Sequence, residues 1–263
     1  MHSEDLYIIK IGGNIIDNDA ELEKFMASFA AVQKPFRLLV HGGGKLATQL
    51  AGQLNIPQQM IEGRRVTDAE TLKIVTMVYA GYINKNLVAR LQSKGINAFG
   101  MCGADGQLIL AEKRKNKLFD FGFAGDIITI DAPQFNHFLF MDQVPVVAPI
   151  AADDQGQLLN INADTIAQSV AVAMSTIYNV ILVYGFEKPG VLSDVNDASS
   201  VIPQITSASY AQLREEGKIF AGMIPKLDNA FAALKNGVTK VIIGNATSLP
   251  ELINGTAGTT IVL

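Results

Sequence analysis

Leu6-Tyr7-Ile8-Ile9-Lys10-Ile11-Gly12-Gly13 is an apolar run interrupted by one lysine and closed by two glycines. An unbroken apolar run of this length predicts a strand buried on both faces of a parallel sheet. A lysine inside it is costly unless an anion meets it. Gly12 and Gly13 carry no side chains, so their backbone N–H groups can approach a ligand closely. Together these features make the carboxyl edge of the strand a candidate phosphate site. The plainer reading is a lysine that snorkels to the surface at a strand end.

Outward from this strand, apolar runs alternate with stretches of helical spacing. Phe36–Val40, Ile96–Met101, Pro145–Ile150, Val180–Tyr184, Val238–Ile243 and Thr259–Leu263 read as strands. Helical spacing covers about 20–32, 45–54, 132–141, 163–175, 207–216 and 224–236. Pro57–Arg65 reads as a loop or hairpin, and 107–129 as short hairpin strands. Thr67-Asp68-Ala69-Glu70 carries a capping-box signature, with Thr67 as the cap of a helix running to about Gln92. That helix is apolar nearly all round, which predicts burial on two sides, one against the sheet and the other against a second subunit. The whole pattern predicts an α/β fold, an open αβα sandwich with a mainly parallel central sheet. Ligands of such sheets gather at the carboxyl ends of the strands.

Composition narrows the classes. The 263 residues are 49% hydrophobic and 17% charged, so the chain is globular rather than disordered. A net charge of −4 argues against nucleic acid as a partner. The single cysteine, Cys102, excludes an internal disulfide and suits a reducing compartment such as the cytoplasm. The acidic start lacks a signal-peptide pattern. The apolar stretch 166–183 is broken by polar residues and reads as helix then strand, not as a membrane span. Three scattered histidines indicate no histidine metal site.

His41-Gly42-Gly43-Gly44, between a strand and a helix, is an anion or carboxylate cradle whose amides add to the positive end of the helix dipole. It fails as a Walker A loop, because no Ser or Thr follows Lys45 and Leu39 stands where glycine is needed. It matches a dinucleotide fingerprint, Gly42-x-Gly44-x-x-Ala47 with Glu62 as the distant acid, although 56–61 makes a poor second strand. It also matches a hydrolase oxyanion hole, but the chain has no Gly-x-Ser-x-Gly elbow. Arg64-Arg65 offers bidentate grip on a carboxylate, or simply a solvated face. In Asn160-Ile161-Asn162-Ala163-Asp164, Asn162 reads as a helix cap, whereas Asn160 has no structural excuse. Gly222-Met223-Ile224-Pro225-Lys226 puts a lysine in a helix's first turn, favourable only if an anion lies before it. Two unusually placed lysines and a triglycine cradle suit the charge of a transferring phosphoryl group.

Taken together, these five motifs resemble the amino acid kinase family, and within it the acetylglutamate branch, over essentially the whole chain. The resemblance implies an amino-terminal lobe, 1–176, for acylglutamate and dimerisation, and a carboxyl-terminal lobe, 177–263, for ATP. It implies transfer of the ATP γ-phosphoryl to the side-chain carboxylate of an N-acylglutamate, with Mg²⁺ arriving on the nucleotide. Lys10 and Lys226 would stabilise the transition state, and Asp164 would orient the lysines. Gly43 and Gly44 amides, Arg65 and Asn160 would hold the acylglutamate. Gly12 and Gly13, and by position Gly190, Val191 and Leu192, would contact phosphate and ATP. Here the chain departs from its relatives: Tyr184-Gly185-Phe186-Glu187 replaces their Ser-Asp pattern. A homodimer through the helix near 68–92 is expected. The acyl group is open between acetyl and a larger one such as succinyl. A catalytically silent ligand-binding protein of the same fold, and a nicotinamide-dependent oxidoreductase, are the competing classes.

Overall fold

A computed structural model describes residues 4–61, 63–219 and 223–263. The chain packs as two compact units, one of residues 1–37 with 170–263 and the other of residues 38–169. Contact density thus groups the first strand with the carboxyl-terminal part, a different criterion from the ligand-based division at 176/177.

The first unit begins with β1 (Asp5–Ile11), α1 (Gly13–Ile16) and α2 (Asp19–Ala31). Leu6, Ile8, Ile9 and Ile11 are fully buried, as the apolar run requires of a strand covered on both faces. Asn18 caps α2, its side chain accepting from the amides of Ala20 and Glu21. The helix buries Leu22, Phe25, Met26 and Phe29 on one stripe.

The second unit runs through β2 (Phe36–His41), α3 (Gly44–Gln53), β3 (Gln59–Ile61), β4 (Arg64–Val66) and α4 (Ala69–Thr76). A π-helical stretch, Met77–Ile83, joins α4 to α5 (Asn84–Gln92) without a break in the rod. Then come β5 (Ala98–Cys102), β6 (Ile109–Lys113), β7 (Gly125–Ile130), α6 (Ala132–Phe140), β8 (Val144–Ala148), β9 (Ile150–Ala152) and β10 (Leu158–Asn160). β2 and β5 both pair parallel with β8. β10, β9, β6 and β7 form a second, four-stranded sheet, and β3 and β4 an antiparallel hairpin.

α7 (Ala163–Met174) returns the chain to the first unit, followed by β11 (Asn179–Phe186), β12 (Gln204–Ile205), α8 (Ser207–Glu215), α9 (Ile224–Lys235), β13 (Lys240–Asn245), α10 (Leu249–Ile253) and β14 (Thr259–Ile261). The strand order here is β12-β14-β13-β11-β1, with only the β13–β14 pair antiparallel.

Two expectations need correction. Thr67 does not cap the long helix; Asp68 does, its carboxylate accepting from the Thr71 amide at 2.7 Å. Thr67 is fully buried and its hydroxyl is engaged elsewhere, as described below. Second, the segment after α3 is an antiparallel hairpin rather than the parallel second strand a dinucleotide fold needs, which removes that reading of the glycine loop. Its acid, Glu62, lies outside the described residues. In the single chain the long helix buries Leu72, Ile74, Val75, Val78 and Ile83 and leaves Met77 and Tyr82 55% and 66% exposed.

Candidate active site

In the first unit, the carboxyl edges of β1 and β11 collect the cations and glycines singled out above. Lys10 pairs in register with Tyr184, and Ile11 with Gly185. The ammonium of Lys10 folds over the turn into α1: a Cβ on Gly12 would stand 3.7 Å from it. Gly13 opens α1. Two residues beyond Tyr184, the Phe186 ring lies under Lys226, with Nζ 5.2 Å from the ring centroid. Lys226 is in the first turn of α9, just after Pro225. The ring face offers that cation some compensation where the helix dipole opposes it. Gly222, the first residue of its motif, lies outside the described residues.

α9 is held by a polar clamp that the sequence did not announce. The Tyr210 hydroxyl donates to Asp228 at 2.7 Å, and Tyr210 stacks on Phe231. Burial, then the Asp228 carboxylate, pushes the Tyr210 phenol up to about 12. Gly190, Val191 and Leu192 are placed on the same unit. The Val191 amide donates to Thr259 Oγ1 at 2.8 Å, and Leu192 bridges to Val201. A Cβ on Gly190 would meet Val201 and Thr259 within 3.0 Å.

In the second unit, the structure gathers Gly43, Gly44, Arg65 and Asn160 through residues that sequence reading passed over. Gly43 is the N-cap of α3 with φ 151°, a conformation L side chains rarely adopt, and no side chain caps the helix. A Cβ there would stand 2.2 Å from Ile83 Cδ1. The first-turn amides of α3 are thus left without a side-chain partner at the positive end of its dipole.

Arg65, on β4, is only 8% exposed. One guanidinium nitrogen, Nη2, donates to the Gly44 carbonyl at 2.8 Å and to Thr48 Oγ1 at 2.9 Å. The other, Nη1, donates to Gln58 Oε1. Gln58 is fixed in turn by donating to Thr71 Oγ1 at 3.0 Å. Every one of these acceptors is neutral. Among the described residues no carboxylate forms an ion pair with Arg65. Arg64, its neighbour, is exposed.

Thr67 links Arg65 to Asn160. Its hydroxyl donates to the Arg65 carbonyl at 3.1 Å and accepts from Asn160 Nδ2 at 3.0 Å. The Thr67 carbonyl and amide pair with Phe123 and Phe121 across the Gly122 turn. Gly122 has φ 63°, and a Cβ on it would stand 2.2 Å from the Thr67 carbonyl oxygen, so only glycine fits. Asn162 does cap α7, accepting from the amides of Asp164 and Thr165. Asp164 lies in that first turn, half-buried. The useful signal for Thr67 and Gln58 was their closeness to Arg65 in sequence, but a local capping pattern explained Thr67 first.

His41 is fully buried beneath the glycine loop. Desolvation is the main reason its pKa falls to about 4; the nearby Lys85 charge lowers it further, against the hydrogen bond to Gly42. The ring is therefore neutral at physiological pH and is not a poised base.

The chain belongs to the amino acid kinase family, whose sequence model matches residues 5–245. Its similarity within the family is to acetylglutamate kinases. It is 52% identical to that of Cytophaga hutchinsonii over 263 residues, covering 98% of this chain and 99% of the relative. It is 50% identical to that of Bacteroides thetaiotaomicron over 248 residues, covering 94% and 96%. Among solved structures, the Streptococcus mutans protein smu.665 superposes with a TM-score of 0.78 at 28% identity, covering 98% of each chain. Likeness of this extent makes the chain an acetylglutamate kinase-like phosphotransferase with a carboxyl group as acceptor, on an α/β fold with a mainly parallel sheet. The hydrolase and oxidoreductase readings of the glycine loop fall with it.

Proposed function

We propose that the protein transfers the γ-phosphoryl of ATP to the side-chain carboxylate of an N-acyl-L-glutamate. The observation that carries this reading is Arg65, a buried guanidinium that among the described residues bonds only to neutral groups. A cation removed from water without a counter-charge is costly, and an anionic ligand relieves that cost. Arg65 is already aimed by Gln58, Gly44 and Thr48, so it meets a carboxylate with little reorganisation.

The chemistry is economical. A carboxylate oxygen of the acylglutamate attacks the γ-phosphorus. The new O–P bond forms as the bond to the β,γ-bridging oxygen breaks, and ADP leaves with that electron pair. An ionised carboxylate needs no general base, which suits a chain whose His41 is buried and neutral. What remains is positioning and charge neutralisation. Lys10 and Lys226 neutralise the transferring group, with Asp164 as the organising carboxylate. The amides of Gly12 and Gly13 receive phosphate, and 190–192 contribute to the nucleotide side. The amides of Gly43 and Gly44, with Arg65 and Asn160, hold the acylglutamate. Mg²⁺ enters with the nucleotide as part of the substrate. By ligand, 1–176 serves the acylglutamate and 177–263 serves ATP. The product acyl phosphate belongs to the acylated route to ornithine and arginine, in the cytoplasm. Met77 and Tyr82, apolar and exposed on the long helix, support a homodimer through that face.

The acyl group is acetyl or a larger one such as succinyl. A hydroxylamine-trapped assay decides among these. Protein with Mg·ATP receives N-acetylglutamate, N-succinylglutamate, glutamate or aspartate, alongside Lys10→Ala and Lys226→Ala. Hydroxamate from one acylglutamate, lost in both variants, is the expected result and names the acyl group. Product only from free glutamate or aspartate overturns the roles of Arg65 and Asn160. No product at all, with an acylglutamate still binding, would make this a silent ligand-binding member of the family.

A further inference from the structure

The glycine cradle is wired to a surface cation. Lys85 Nζ donates to Asn84 Oδ1 at 3.0 Å and to the Gly100 carbonyl at 3.0 Å. Asn84, fully buried, turns its amide nitrogen to the Val146 carbonyl at 2.9 Å and to His41 Nε2 at 3.1 Å. On the far side of the ring, Nδ1 lies 2.8 Å from the Gly42 carbonyl oxygen.

Donor and acceptor roles along this chain admit one assignment. An ammonium can only donate, so Asn84 must present Oδ1 to Lys85 and its NH₂ to Val146 and His41. His41 Nε2 therefore accepts, and Nδ1 carries the proton that is donated to Gly42. The sequence marks the route as well. A Cβ on Gly100 would stand 2.2 Å from Asn84 Oδ1 and 2.9 Å from Lys85 Nζ, so glycine stands where the relay passes the β5 strand.

Each bond in such a chain polarises the next. The last acceptor is the carbonyl of the Gly42–Gly43 peptide, and the N–H at the other end of that peptide belongs to Gly43. We propose that Lys85, Asn84 and His41 form a hydrogen-bond relay that polarises the Gly42–Gly43 peptide and strengthens the Gly43 N–H as a donor to the acylglutamate. All three are positioning residues: none needs to touch substrate. The relay rests on the assignment of Gly43 to acylglutamate binding. It gives a physical reason for placing a fully buried histidine and asparagine directly beneath the loop. It also ties the loop to the residue that follows the π-helical stretch, and Ile83, the last residue of that stretch, packs against Gly43.

The test uses full-length protein with Lys85→Met, Lys85→Arg and Asn84→Asp. Long-range ¹H–¹⁵N spectra of the His41 ring and the Gly43 amide proton shift read the relay without any turnover. The expected spectrum shows His41 protonated at Nδ1 alone, and Lys85→Met moves the Gly43 amide proton upfield. In the trapped kinase assay Lys85→Met raises KM for the acylglutamate by roughly three- to tenfold, with KM for ATP and the urea midpoint unchanged, and Lys85→Arg restores it. Asn84→Asp demands a proton on Nε2, so its spectrum must lose the Nδ1-only tautomer even if the variant is inactive. A wild-type ring protonated at Nε2, or a Lys85→Met protein with unchanged acylglutamate KM, overturns the relay. So does a Lys85→Met protein in which both KM values rise together as stability falls. If wild type turns over no acylglutamate, the functional assignment fails, while the tautomer and amide shifts still report on the relay.

Discussion

Removing the guanidinium of Arg65 has two opposed effects. Arg65→Met deprives Gln58, Thr48 and the Gly44 carbonyl of a charged donor, each bond worth about 1.5–3 kcal/mol. It also removes a buried charge that no carboxylate in the described residues compensates, which relieves strain of opposite sign. Unliganded stability should therefore change by no more than about 2 kcal/mol. Ligand linkage should not survive. Thermal melts of wild type should rise with added N-acylglutamate, by the equivalent of about 2.7 kcal/mol at a hundredfold excess over Kd, and those of Arg65→Met should not move. His41 makes a second prediction at this scale. Its folded pKa of about 4 lies below the unfolded value of 6.5. Between those values the unfolded chain binds a proton that the folded one refuses, so stability rises with pH across that window. The loss on going from pH 7 to pH 4 is about 3 kcal/mol from this group. Urea midpoints measured from pH 4.5 to 7.5 should slope accordingly, and His41→Asn should flatten the slope even if it lowers the whole curve.

Among the elements, the start of the long helix distinguishes two caps. Asp68→Ala should cost about 1 kcal/mol, because Asp68 is the side chain that receives the Thr71 amide. Glu70→Ala should cost under about 0.5 kcal/mol, since its exposed pair with Lys73 is its main partner. A capping box centred on Thr67 would reverse that order in urea melts. The turn into α3 offers a sharper case. Gly43→Ala puts a side chain at φ 151° and against Ile83 Cδ1, and should destabilise by about 2–4 kcal/mol. Adding Ile83→Val should recover the contact part but not the backbone part. These elements also show what a sequence leaves unreadable. Residues 6–11 announced a doubly buried strand because every residue reports its own burial preference. Thr67 was misread because a local four-residue signature competes with a partner, Asn160, 93 residues away. The π-helical stretch keeps the apolar composition of an α-helix while shifting which residues share a face, so spacing alone does not expose it. α1 and α10, of four and five residues, are too short to show a period.

In the molecule as a whole, the strands were legible but their neighbours were not. Alternating strands and helices give an α/β fold with ligands at the carboxyl ends of strands. Nothing in residues 5–11 says that they lie beside 179–185, because pairing depends on which partner the finished core leaves open. The same holds for the buried His41–Asn84 contact, whose members are 43 residues apart. Lys10, Arg65, Asn160 and Lys226 stood out because each breaks a local rule of burial, charge or capping. Thr48, Gln58 and Asn84 break none, and only coordinates reveal them.

The pairing of Asp5 with Asn179 sets a timetable for synthesis. β1 leaves the ribosome well before its partner β11, which is made some 170 residues later, about 10–35 s at ordinary elongation rates. The unit of residues 38–169 is continuous in the chain and can complete in that interval. Until then the edge of β1 that takes β11 stays open, and an open apolar strand edge invites aggregation. Nascent chains arrested when residue 185 is still inside the exit tunnel should resist protease across 38–169 and be cut within 1–37. Arrest after the full chain has emerged should protect both. The strand that carries Lys10 is thus made long before its β11 partner and is among the last to be completed in the sheet, and trigger-factor-like chaperones should be found on it in between.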